Sequence, residues 1–120
     1  MERVVVIGAS NNPERYSHKA MLMLREYGHQ PIPVAPAVAE VLGEPAYAVP
    51  DAVPGPVDTV TMYIGPARQA ALLDGIVALA PRRVIFNPGT ENPEAYARLD
   101  AAGIDHEEAC TLVLLRSGQF

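Results

Sequence analysis

Four short stretches follow apolar runs in this chain and carry the residues most able to do chemistry. They are Gly8-Ala9-Ser10, Ala35-Pro36, Tyr63-Ile64-Gly65-Pro66 and Asn87-Pro88-Gly89. Gly8 permits a tight turn, and Ala9 and Ser10 are small enough for backbone amides to approach a phosphate. Asn11 and Asn12 suit a turn or a cap. Arg15, His18 and Lys19 are the nearest sources of positive charge. The competing reading is a plain strand-to-helix turn with Arg15 and Lys19 solvated. Pro36 either floors a site for a ring or starts a helix. Tyr63 and Ile64 form a flat wall beside an adenine, or simply lead into a turn. Asn87 offers both a donor and an acceptor, and Gly89 allows a further close backbone approach.

Dinucleotide enzymes place an acidic residue about 20 residues past the glycines, for the ribose hydroxyls. None follows the second apolar run here, and Glu40 and Glu44 come later. The full G-x-G-x-x-G pattern is also missing, so an NAD(P)-binding oxidoreductase domain stands as an alternative with two features against it. The chain has no CxxC or HExxH pattern, and His18, His29 and His106 are scattered. No metal site is expected. No Ser-His-Asp set or carboxylate pair is evident, so no catalysis of its own is expected. Cys110 follows Glu107-Glu108-Ala109. A helix start would lower its thiol pKa and the two glutamates would raise it. The ordinary role for a lone cysteine is a buried small hydrophobe.

Composition narrows the classes further. The 120 residues amount to one domain, 1–120, and 49 % hydrophobic content supports a real core. A formal net charge of −5 argues against nucleic acid as a partner. No apolar run approaches the roughly 20 residues that span a bilayer, so no membrane partner is expected. MERVVVIGAS enters a strand almost at once, leaving no room for a signal peptide. One cysteine excludes an internal disulfide, and a reducing cytoplasm is the expected compartment. A protein partner or a second copy of the chain is left open.

The elements that position these residues follow from hydrophobic pattern. Val4–Ile7, Pro31–Val34, Thr59–Ile64 and Arg83–Phe86 read as strands covered on both faces, with a fifth near Gly103–Glu107. Helical spacing appears over His18–Tyr27, Ala67–Ala80 and Pro93–Ala102. Ala37–Leu42 is expected to form one helical turn, and Leu112–Arg116 a last helix. Gly43–Pro56 is an ordered, proline-rich loop around Tyr47, with a helical turn near Pro50–Val53. Alternating strands and helices specify the α/β class: a single Rossmann-like domain of three layers, with a mostly parallel sheet of about five strands. Ligands of such sheets bind beyond the carboxyl ends of the strands, where strand order switches.

Taken in order, IGASNNPERYSHKA at 7–20, PIPVAP at 31–36, LGEPAY at 42–47, VDTVTMYI at 57–64, VIFNPGTEN at 84–92 and AGIDHEEACTLVLL at 102–115 resemble the stand-alone CoA-binding proteins. The chain is also similar to the nucleotide-binding part of the succinyl-CoA synthetase alpha subunit and of ADP-forming acyl-CoA synthetases. The resemblance implies coenzyme A, or an acyl-CoA, across the carboxyl edge of the sheet. It implies phosphates on Gly8, Ala9 and Ser10, with Asn12, Arg15 and Lys19 close by. It implies adenosine beside Val34, Ala35, Pro36, Tyr63 and Ile64, and the pantetheine arm towards Asn87, Pro88 and Gly89. Cys110 then falls near the pantetheine end, and a redox carrier forming a Cys110–CoA mixed disulfide is a further alternative. Many members carry Asn-Pro after the second strand; Ala35-Pro36 here removes one side-chain hydrogen bond. The larger relatives owe catalysis to domains for which this chain has no room.

Overall fold

The computed structural model describes residues 1–120. Val4, Val5, Val6 and Ile7 are each at most 1 % exposed. That is why β1 (Arg3–Ile7) shows no polar alternation: both faces are covered. Successive side chains on a strand point to opposite faces. Accordingly Val5 and Ile7 join one core, with Val60, Met62, Val84 and Phe86. Val4 and Val6 join the other, with Met21, Leu24 and Leu115.

β2 (Gln30–Val34), β5 (Thr59–Met62), β6 (Arg83–Phe86) and β7 (Asp105–Glu108) complete the main sheet. Its order is β2-β1-β5-β6-β7, with every pair parallel. The cores above and below bring in α1 (Tyr16–Glu26) and α5 (Thr111–Arg116) on one face. On the other face lie α3 (Leu73–Leu79) and α4 (Pro93–Ala101). This is the three-layer α/β domain expected from the alternation of elements.

Two edges show how sequence serves topology. Pro31 and Pro33 lack an N–H, which a strand tolerates at the sheet edge. Beyond Pro33 that edge is closed by Tyr47, whose N–H donates to Pro33 O (3.0 Å) and whose carbonyl accepts from Ala35 N (2.9 Å). At the opposite edge β7 is Asp-His-Glu-Glu, a charged strand of the kind that resists pairing with another chain.

Two expectations need correcting. Ala37–Leu42 forms no helical turn. Instead β3 (Glu40–Val41) pairs antiparallel with β4 (Glu44–Pro45) in a small hairpin. Leu42 and Gly43 hold φ of 52° and 79°, the left-handed pair that a two-residue reversal needs. Arg25 Nη2 fastens the hairpin to α1, donating to Leu42 O (2.5 Å) and Glu44 Oε2 (3.2 Å). The helix expected over Ala67–Ala80 is also interrupted. It consists of α2 (Pro66–Gln69), a 3-10 turn at Ala70–Leu72, and α3. The apolar spacing survives this change of hydrogen-bond register, so periodicity alone does not reveal it. The helical turn expected near Pro50–Val53 is a 3-10 turn at Pro50–Ala52.

No helix is long and apolar enough to cross a membrane.

Candidate functional site

The chain leaves β1 for the β2 edge, then returns to place β5 on the far side of β1. Strand order therefore switches between β1 and β5, and a crevice opens at their carboxyl ends. Gly8 lies at its floor with φ +85°. A Cβ there would stand 2.7 Å from Ile64 Cγ2 and 3.4 Å from the Tyr63 carbonyl carbon and oxygen. Only glycine satisfies both the conformation and the space. Gly8 N donates to Val34 O and Tyr63 N to Ile7 O, each at 3.0 Å, so the three strand ends are tied together.

The loop beyond Gly8 is held by its own side chains. Ser10 Oγ accepts from Asn12 N, and Asn12 Oδ1 accepts from Glu14 N, both at 3.0 Å. Asn11 Nδ2 donates to Glu40 O (2.9 Å), so the hairpin brings Glu40 back to the loop although it is remote in sequence. His18 Nδ1 lies 2.8 Å from Ser10 O; a carbonyl only accepts, so Nδ1 carries the proton. His18 is buried, and this bond makes it a loop anchor. The N–H groups of Ala9, Ser10 and Asn11 donate to no acceptor within the protein. Three successive amides without an internal acceptor are donors available to an anion.

Two cavities flank this loop. One, of about 150 Å³, lies over the ends of β2 and β1 and is lined by Ile7, Gly8, Val34, Pro36, Ala48, Ile64, Arg68 and Leu72. The other, of about 250 Å³, lies over the ends of β5 and β6 and is lined by Tyr16, Tyr63, Asn87, Pro88, Cys110 and Leu112. Tyr63 and Ile64, expected to make one wall, thus face different cavities, as alternation at a strand end requires. Ala35 is buried in the core that α1 covers. Arg15 and Lys19 are exposed, and Lys19 Nζ sits 5.3 Å from the Tyr16 ring centroid. Cys110 is half-buried in the β5–β6 cavity wall.

Asn87 is committed to the fold. Its side chain donates through Nδ2 to Thr61 Oγ1 (2.7 Å) and Met62 O (2.9 Å), and Oδ1 accepts from Thr111 N (2.9 Å). Its carbonyl accepts from Thr90. Gly89 holds φ +91° and donates its N–H to Glu91 Oε1 (2.9 Å). Pro88 is the member of this trio left exposed at the cavity.

Sequence reasoning misses Gln69, which is wholly buried. Its Nε2 donates to Ile64 O (2.9 Å) and Thr90 O (2.7 Å), and Oε1 accepts from Asn92 Nδ2 (3.0 Å). It joins the loops after β5 and β6. The available signal was its spacing: Gln69 shares a helical face with Leu73 and Ile76. Arg68, Tyr16 and Leu112 are also missed as lining residues.

The Tyr63 hydroxyl is buried and has no hydrogen-bond partner. The nearby Thr61 and Thr111 hydroxyls bond each other at 2.8 Å. Burial pushes the Tyr63 pKa from 10.0 up to about 12, only partly opposed by those neighbours. The fold favours the neutral phenol, so its stabilisation is full below pH 10 and is lost as pH rises towards 12. Tyr63→Phe should therefore flatten the fall of urea-unfolding stability between those pH values. An equally steep fall in the variant would contradict this origin.

YneT, an uncharacterized protein of Bacillus subtilis (strain 168), is 31 % identical over 106 residues, covering 85 % of this chain and 76 % of its own. A crystal structure of an uncharacterized protein matches at 42 % identity with a TM-score of 0.94, covering 100 % of this chain and 98 % of that one. Acetyl-coenzyme A synthetase 1 of Ca. Korarchaeum cryptofilum, in complex with phosphate and ADP, shares the fold. Its TM-score is 0.77 at 19 % identity, over 88 % of this chain and 25 % of its own. Residues 2–116 match the family described as CoA binding domain, and the chain belongs to that family.

Proposed function

We propose that this chain binds coenzyme A, free or acylated, along the crevice at the β1–β5 switch point, as a cytoplasmic binding module with no catalysis of its own. The observation that carries this reading is the row of free amides at Ala9, Ser10 and Asn11, set between two cavities. In this reading Gly8, Ala9, Ser10 and the Asn12 turn hold the diphosphate. Val34, Pro36 and Ile64 take the adenosine, with Ala35 supporting them from below. The pantetheine arm runs towards Tyr63, Pro88 and Cys110. Asn87 and Gly89 act by shaping the loop, and Arg15, the N-cap of α1, and Lys19 in its first turn contribute positive charge. A nicotinamide dinucleotide is disfavoured because the chain right after β2 is Ala35-Pro36, with no acid for the ribose hydroxyls.

Ser10→Glu tests the loop. It sets a carboxylate where phosphate would sit, and should weaken coenzyme A binding at least tenfold, about 1.4 kcal/mol. Ser10 lies outside the core clusters, so the melting temperature should stay within a few degrees of wild type, roughly the range expected for a surface change. Wild-type affinity in this variant would remove the diphosphate from this loop.

A further inference from the structure

The charges around the β2–β1 cavity single out one residue. From Glu26 to Ala67 the chain contains no lysine or arginine, so β2, the hairpin and the proline-rich loop bring no such cation to this cavity. Arg68, in the first turn after Gly65-Pro66, is the cation that lines it, together with Gly8, Val34, Pro36 and Ile64. Most other cations are committed elsewhere. Arg3 donates to the Pro54 and Pro56 carbonyls. Arg25 pairs with Glu44, Arg82 and Arg83 with Glu2, and Arg98 with Asp74. Arg15, Lys19 and Arg116 have no carboxylate partner but lie outside the cavity lining. The Arg68 guanidinium is exposed and makes no hydrogen bond or ion pair, so its five donors are free.

We infer that Arg68 selects an adenine nucleotide whose ribose carries a phosphomonoester, meeting that phosphate while the base occupies the β2–β1 cavity. This rests on the coenzyme A reading, in which the phosphate is the 3′-phosphate. A planar guanidinium can bond two phosphate oxygens at once, giving direction as well as charge. In a chain of net charge −5, a phosphate dianion gains most from a cation with no competing carboxylate.

The test is calorimetry of coenzyme A and 3′-dephospho-coenzyme A with wild type, Arg68→Ala and Arg68→Lys. Wild type should bind the dephospho compound at least tenfold more weakly. Arg68→Ala should bind coenzyme A about as weakly as the dephospho compound, with affinity for the latter unchanged; Arg68→Lys should fall between. The melting temperature of Arg68→Ala should match wild type, because the side chain holds nothing in the fold. Adenosine 2′,5′-bisphosphate against the 3′,5′-isomer separates the two ribose positions, and preference for the 2′ form would overturn the assignment to the 3′-phosphate. Arg68→Ala that keeps the wild-type preference, or wild type with no preference, would overturn the role of Arg68 while leaving coenzyme A binding intact. Failure of wild type to bind either coenzyme would remove the parent reading, and this inference with it.

Discussion

Asn87→Ala is expected to destabilise the protein by about 3 kcal/mol, and to do so without any ligand present. The substitution removes three hydrogen bonds at once, to Thr61, Met62 and Thr111. It strands the buried Thr111 N–H at the start of α5 and opens a void beneath Thr61. For a domain of this size the melting temperature should fall on the order of 10 °C. Pro88→Ala, one residue on and exposed, should cost about 1 kcal/mol or less. Chemical unfolding of the two variants side by side gives the comparison. If Asn87 were chiefly a ligand contact, Asn87→Ala would keep near wild-type stability and lose affinity instead.

Gly8→Val should be at least as damaging, for reasons of backbone rather than hydrogen bonding. A β-branched residue at φ +85° is strained by itself, and its Cβ would sit 2.7 Å from Ile64 Cγ2. Gly28 is a built-in control, because it holds nearly the same φ, +84°, with nothing within 4 Å of a Cβ. Gly28→Val should therefore report conformational strain alone, about 2 kcal/mol. Gly8→Val should cost about twice as much and abolish coenzyme A binding, since β1 and β5 must part to admit the side chain. Equal destabilisation of the two variants would mean that the close approach at the switch point is unimportant.

The fold was legible where the chain buries apolar residues in runs. β1, β2 and β6 stand within a residue of their expected bounds, because strands covered on both faces leave a continuous apolar signal. β7 was displaced by two residues at its start, since an edge strand of Asp-His-Glu-Glu carries no such signal and is recruited by its pairing with β6. The Ala37–Leu42 stretch looked helical by composition. The reversal at Leu42-Gly43 and the grip of Arg25, a residue 17 positions away, decided otherwise.

The site was legible as positions after strands, but less so as roles. Gly8, Ala9 and Ser10 gather at the switch point because topology alone dictates it. Whether a polar side chain there faces a ligand or the protein depends on partners distant in sequence. Asn87 faces Thr61 and Thr111, and His18 turns back to Ser10. Tyr63 and Ile64 separate because neighbouring residues at a strand end diverge. Arg68 was hidden within a helical segment, its importance depending on the absence of lysine and arginine across the preceding 42 residues, 26–67.

The measurement that bears most directly on the central claim is isothermal calorimetry of ligand-free protein with coenzyme A, run against NAD and FMN. The geometry described above predicts saturable, one-to-one binding of coenzyme A, with NAD and FMN at least a hundredfold weaker, about 2.7 kcal/mol. Saturable binding of NAD or FMN with none of coenzyme A would contradict it.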